Sequence, residues 1–132
     1  MADNGLTSVP SSHAVKHTID RLEAEVKRKG MTVFARIDHA QGARDAGLAL
    51  RPTELLIFGN ARGGTPLMQI QQTIGIDLPL KALAWEDAAG KVWLSHNDPA
   101  WLAARHGIAA GAEITKTLAA ALAAAAQAAA AP

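Results

Sequence analysis

Between residues 80 and 96 the chain carries two alternating apolar stretches, Leu80 to Glu86 and Lys91 to His96, on either side of Asp87-Ala88-Ala89-Gly90. Alternation with a period of two sends successive side chains to opposite faces of a strand. A four-residue loop with its glycine placed late closes two such strands as an antiparallel hairpin. In the second strand Val92, Leu94 and His96 share one face, while Trp93 and Ser95 share the other.

The segments around this hairpin alternate between helix and strand. Val15, Ile19, Leu22 and Val26 recur at helical spacing between Ser11/Ser12 and Gly30, so a helix is expected with hydroxyl caps at its start and a glycine stop. Lys27, Arg28 and Lys29 suit the negative end of its dipole. Residues 32–38 alternate, with Val33, Ala35 and Ile37 on one side and Thr32, Phe34, Arg36 and Asp38 on the other, which predicts a strand. A short helix is expected between His39 and Leu48, ended by Arg51-Pro52. The apolar run from Glu54 to Phe58 reads as a central strand covered on both faces. After the glycine-rich loop 59–65, Thr65-Pro66 reads as an N-cap and first helical residue of a helix running to Gly75. Asp98-Pro99 opens another helix by the same logic, through Trp101 and Leu102 to Gly107. A last helix is expected from about Ala112, and its Ala-rich end should be helical but loosely held, because alanine has little surface to bury.

A length of 132 residues and an apolar fraction of 49% fit one domain that folds without staples. A formal charge of +1 gives no field that would draw the chain to nucleic acid or an anionic membrane. No cysteine is present, which excludes disulfides, thiol catalysis and thiolate metal sites. No uninterrupted apolar run reaches the ~20 residues of a bilayer span, and the N-terminus has no apolar leader core. A cytoplasmic protein is the expectation.

The phrases RIDHA, LLIFGNARGGTPLM, DLPL and EDAAGKVWLSHNDP taken together resemble the bacterial and archaeal family catalogued as domain of unknown function 302, over residues 6–108. The motif positions are Asp38, His39, Gly59, Asn60, Gly64, Thr65, Asp77, Pro79, Glu86, Asp98 and Pro99. The resemblance implies a two-layer α+β domain, a homodimer, and no established activity. Where an aromatic residue is expected in the second hairpin strand this chain has His96, which leaves any family-wide role at that position without support. The Ala-rich tail lies outside the resemblance, so residues 1–110 are expected as the domain and 111–132 as a helical appendage.

His39 closes a strand beside Asp38, where an imidazole can serve as general base or ligate a metal or haem iron. The plainer reading is a histidine hydrogen-bonded to a nearby turn. The 59–65 loop sets backbone N–H groups before a helix start, with Arg62 close by, an arrangement that favours an anion. The same glycines also serve a tight strand-to-helix turn, and Thr65 stands where a Walker loop requires lysine. His96 meets His39 only if the strand order allows it. His13 and His17 sit four apart on the first helix but lack the glutamate of HExxH and read as exposed. Glu86 and Asp87 are adjacent and point to opposite faces, which suits turn and edge charges more than paired catalysis. Trp85, Trp93 and Trp101 read as core or dimer-interface residues, or as the lining of an apolar cleft.

The expected architecture is therefore a two-layer α+β fold with a mixed or antiparallel sheet of five strands backed by helices. The expected function is a homodimeric small-molecule-binding or accessory module. Its cleft would be formed near His39, Asn60, Arg62, Gly64, Thr65, Glu86 and His96. Two alternatives stand beside it: a metal- or haem-dependent protein or enzyme using His39, alone or with His96, as ligand or general base, and a structural dimerisation or assembly unit.

Overall fold

The computed structural model describes residues 4–109 and 112–132. The chain runs β1 (Leu6–Pro10), α1 (Val15–Arg28), β2 (Thr32–Asp38), α2 (His39–Asp45), β3 (Thr53–Gly59), α3 (Ala61–Ile70), a 3-10 turn (Gln72–Ile76), β4 (Leu80–Glu86), β5 (Val92–Asn97), α4 (Pro99–Arg105) and α5 (Glu113–Ala130). The strands form one wholly antiparallel sheet in the order β1-β5-β4-β3-β2. The boundary expected between residues 110 and 111 falls outside the described residues.

One face of the sheet packs under α1 and α5. Leu56, Phe58, Leu80, Ala82, Ala84, Val92 and Leu94 meet Val15, Ile19, Leu22 and Val26 of α1 and Leu122, Ala125, Ala126 and Ala129 of α5 in a single core. At ~25 cal/mol per Å² of apolar surface removed from water, such a core is the dominant favourable term in the fold. A smaller cluster of Leu67, Ile74, Ala103 and Ile108 joins α3, the 3-10 turn and α4.

Five expectations are corrected. The alternation of β2 breaks between Val33 and Ala35, where the register shifts. That bulge puts Val33, Arg36 and Asp38 opposite Phe58, Leu56 and Glu54, on the helix side, and leaves Phe34 57% exposed. A one-residue irregularity reverses every side chain beyond it. β3 is interior, but only one of its faces is covered: Leu56 and Phe58 are buried, whereas Leu55 and Ile57 are half-buried on the other face.

α3 begins at Ala61 rather than at Thr65-Pro66. Asn60 is its cap, its Oδ1 accepting from Gly63 N at 2.7 Å, and Pro66 lies inside the helix. A proline in the sixth position forfeits one intrahelical bond, a loss the earlier cap outweighs because it satisfies a donor that would otherwise have no partner. α1 likewise starts at Val15 with no side-chain cap, and Ser11 instead accepts from His13 N at 3.1 Å.

The fifth correction concerns the Ala-rich helix, which is built into the core rather than loosely held. Its alanines let α1 come close, and three groups secure its end. Arg21 donates from Nε to Ala129 O at 2.9 Å and from Nη2 to Ala128 O at 2.8 Å. His13 Nε2 lies 2.7 Å from Ala131 O, and Ser12 N donates to Ala130 O at 2.9 Å. A guanidinium on the last carbonyls satisfies acceptors with no intrahelical donor and meets the negative end of the dipole.

Candidate functional site

The register decides which expected site residues meet. Thr32 pairs with Gly59 and Asp38 with Glu54, so His39 leaves β2 at the end opposite the 59–65 loop, about 20 Å away at ~3.3 Å per residue. His39 is exposed as the first residue of α2, whose cap is Asp38 Oδ1, accepting from Gln41 N at 2.9 Å. His96 lies on β5, paired with Ala82 and Thr7. Two strands separate it from β2, about 14 Å of sheet. It is buried, with Nδ1 3.2 Å from Asn97 O. The two histidines do not converge. Among the described residues no three His, Asp or Glu side chains gather as a metal-ligand set.

Glu86 joins Asp38, Arg44 and Glu54 around a small hollow of about 260 Å³ at the His39 end. Its neighbour Arg36 is the electrostatic hub there. Arg36 Nε donates to Glu54 Oε1 at 3.0 Å, and Nη1 donates to Asp20 Oδ1 at 2.7 Å and Glu23 Oε1 at 3.2 Å. Burial alone would lower the Arg36 pKa, but its bonds to Asp20 and Glu54 outweigh this and raise it. Glu23 is held below the usual carboxylate range, first by Lys27 and then by Arg36. Three carboxylates around one guanidinium pin α1 to β2 and β3. This network is a structural clamp.

The remaining expected residues, Asn60, Arg62, Gly64 and Thr65, do come together, in a cleft of about 550 Å³ at the other end of the sheet. Its walls are Phe34, Phe58, Met68, Leu78, Leu118 and Leu122, and Lys29, Asn60, Arg62, Thr65 and Thr117 supply the polar side chains. Among the described residues two cations and no carboxylate line it, and α3 opens on its rim with the positive end of its dipole. α5 closes one side. The approach depends on Gly63: a Cβ there would lie 3.2 Å from Leu118 Cδ1 and 3.3 Å from Asn60 Oδ1. The apolar stripe of α5 did not mark Leu118 and Leu122 as part of this site, since a helix's register on a loop 55 residues earlier is not a local pattern. The glycine pair Gly63-Gly64 was the visible trace of that close approach.

The chain is 57% identical over 112 residues to "Fluoride-specific ion channel FluC 1" of Brucella suis biovar 1 (strain 1330), an alignment covering 85% of this chain and 44% of that protein. The same identity and length are found against the FluC 1 of Brucella abortus, of which 42% is covered. The chain thus spans less than half the length of these curated relatives. No helix among the described residues is long and apolar enough to cross a membrane. The crystal structure of an uncharacterized conserved protein DUF302 from Bacillus stearothermophilus superposes with a TM-score of 0.81 over 92% of this chain and 94% of that one, at 23% identity, which establishes a shared fold. A family model described as "Domain of unknown function DUF302" matches residues 7–125, reaching past residue 108 into α5. On that match, this chain belongs to the DUF302 family.

Proposed function

We propose that the protein is an accessory module that binds a small amphipathic anion in the cleft between α3 and α5. The observation that carries this reading is the lining. A volume of about 550 Å³ with apolar walls and two cationic side chains falls within the ~300–1,000 Å³ of small-molecule sites, which combine apolar surface with a few placed polar groups. An apolar body would rest on Phe58, Met68 and Leu118 while its charged end met Arg62, Lys29 and the start of α3. Among the described residues no metal-ligand set accompanies these groups, and binding is the role proposed for them.

Displacement of 1-anilinonaphthalene-8-sulfonate by dodecanoate tests it. Binding is expected in the intact chain. Arg62→Ala should weaken it about tenfold, the value of one charge-assisted contact, and Leu118→Trp should block it. Equal affinity in all three would remove the cleft from consideration.

A second reading draws on the curated relatives. Because the chain matches under half of proteins titled as fluoride channels and holds no membrane-crossing helix among its described residues, it would be a domain appended to a pore. The cleft walls do not suit fluoride itself, a small, strongly hydrated anion that needs several converging donors. Liposomes carrying this chain alone should show no fluoride efflux at a fluoride electrode, and measurable efflux would reverse the assignment.

A further inference from the structure

The 3-10 turn and the end of α4 bring together a hydroxyl, an imidazole and a carboxylate. His106 Nδ1 lies 2.9 Å from Thr73 Oγ1, and its Nε2 lies 2.6 Å from Asp77 Oδ2. Arg105 Nη1 donates to both oxygens of the same carboxylate, at 2.9 and 3.0 Å. None of these four residues lines the cleft between α3 and α5. Asp77 is one of the motif positions of the family resemblance, and neither the cleft nor the Arg36 clamp uses it.

The partners fix the direction in which a proton can move. A carboxylate only accepts, so Nε2 carries the imidazole's proton, and in the neutral ring Nδ1 presents a lone pair to the Thr73 hydroxyl, which donates. The His106 side chain keeps 9% of its surface in water, whereas Thr73 is exposed. The imidazole is thus packed in place while the hydroxyl bonded to it faces solvent. Among the described residues no other histidine meets both a carboxylate and a hydroxyl: His13 and His96 meet backbone carbonyls. A staple between the 3-10 turn and α4 needs only Asp77 with Arg105 and His106. It leaves unexplained the Thr73 hydroxyl, which water would satisfy as well.

We infer that Thr73 is a nucleophile that accepts an acyl group, with His106 as its general base and Asp77 as the positioning residue. A hydroxyl within hydrogen-bond reach of a base that a third group orients is the arrangement that activates an otherwise weak nucleophile. Nδ1 rather than Nε2 faces the hydroxyl here, which leaves the proton transfer unchanged. Thr73 Oγ1 attacks the acyl carbon as its proton passes to Nδ1. The new C–O bond forms, the bond to the leaving group breaks with its electron pair departing on that group, and Nδ1 passes its proton to solvent. Water, deprotonated by the same imidazole, then cleaves the threonyl ester to release the acid and restore the hydroxyl. At a solvent-facing site water meets the charge that develops on the carbonyl oxygen, so the acyl donor is an activated one, an aryl ester or a thioester whose leaving group is stable as an anion. Side chains three apart eclipse in a 3-10 turn, which sets Ile76, 74% exposed, beside Thr73 as a rest for an apolar acyl chain.

Reaction of the intact chain with 4-nitrophenyl acetate tests the inference. Mass spectrometry should find one acetyl group on the peptide bearing Thr73, with a burst of 4-nitrophenolate equal in amount to the chain. Thr73→Val should abolish both, His106→Asn should slow the burst about 100-fold, the scale of a general base, and Thr73→Ser should retain it. His17→Ala, which removes an exposed histidine elsewhere, should leave it unchanged. Thr73 is exposed, so Thr73→Val keeps the comparison open if His106→Asn does not fold. Acetyl groups confined to lysines or the N-terminus overturn the inference, as does an undiminished burst in Thr73→Val. A burst lost in His106→Asn but kept in Thr73→Val would make the imidazole itself the nucleophile and equally overturn it.

Discussion

Arg36 Nε donates to Glu54 Oε1 at 3.0 Å beneath α1, and the Glu54 side chain keeps only 6% of its surface in water. A carboxylate that deep is tolerated because the guanidinium partners it. Arg36→Met should therefore cost about 3 kcal/mol in urea unfolding, since it leaves a buried charge uncompensated. The double variant Arg36→Met with Glu54→Leu should recover most of that loss. A single variant as stable as the parent would show the clamp to be ornamental.

Gly5 faces Trp101. With φ at +77° and a hypothetical Cβ running into the Trp101 indole, no other residue fits without moving α4 or the start of β1. Gly5→Ala should destabilise by about 2–3 kcal/mol, read as a lower melting temperature with a shift in Trp101 emission. Gly30, with φ +81° but open space around it, should lose less, about 1 kcal/mol, on the same change.

Arg21 holds the last carbonyls of α5. Removing the guanidinium in Arg21→Met should cost about 1–2 kcal/mol and speed amide exchange in the last turn of α5 ahead of the sheet. Unchanged protection there would mean that packing of Ala125, Ala126 and Ala129 alone holds the helix.

Asp87 closes the β4–β5 hairpin, its Oδ1 accepting from Ala89 N and Lys91 N and its Oδ2 from the Trp93 indole, all at 2.9 Å. The Trp93 N–H first, then the backbone donors, hold its carboxyl below the ordinary value of 3.8. A depressed carboxylate stabilises the fold above its unfolded pKa and loses that contribution as pH falls through the folded one. Between neutrality and pH ~4 the hairpin should thus be unaffected, and Trp93 fluorescence should change only below that. Asp87→Asn should remove this acid transition, and a transition that persisted would place its origin elsewhere.

The alternation of residues 80–96 and the 3.6-residue period of α1 made the hairpin and first helix legible, because those patterns are local and one face of each is buried. β2 was misread because a bulge at Phe34 leaves no mark in a seven-residue pattern, and the reading of α3 failed because Asn60 competed with Thr65 as cap. The cleft was half legible. Its loop side stood in Gly59, Asn60 and Thr65, but its other wall comes from α5, whose alanines advertise helix propensity and hide the burial that their small size permits. His39 misled because strand ends resemble one another in sequence, whereas the antiparallel register sends this one to the far end of the sheet.

Methyl and backbone nuclear magnetic resonance of the intact chain during addition of dodecanoate tests the central claim most directly. Shifts are expected at Met68, Leu78, Leu118 and Leu122, with Ile37 and Ala40 unmoved. Shifts confined to Ile37, Leu55 and Leu83, or none at all, would contradict the cleft between α3 and α5 as the binding site.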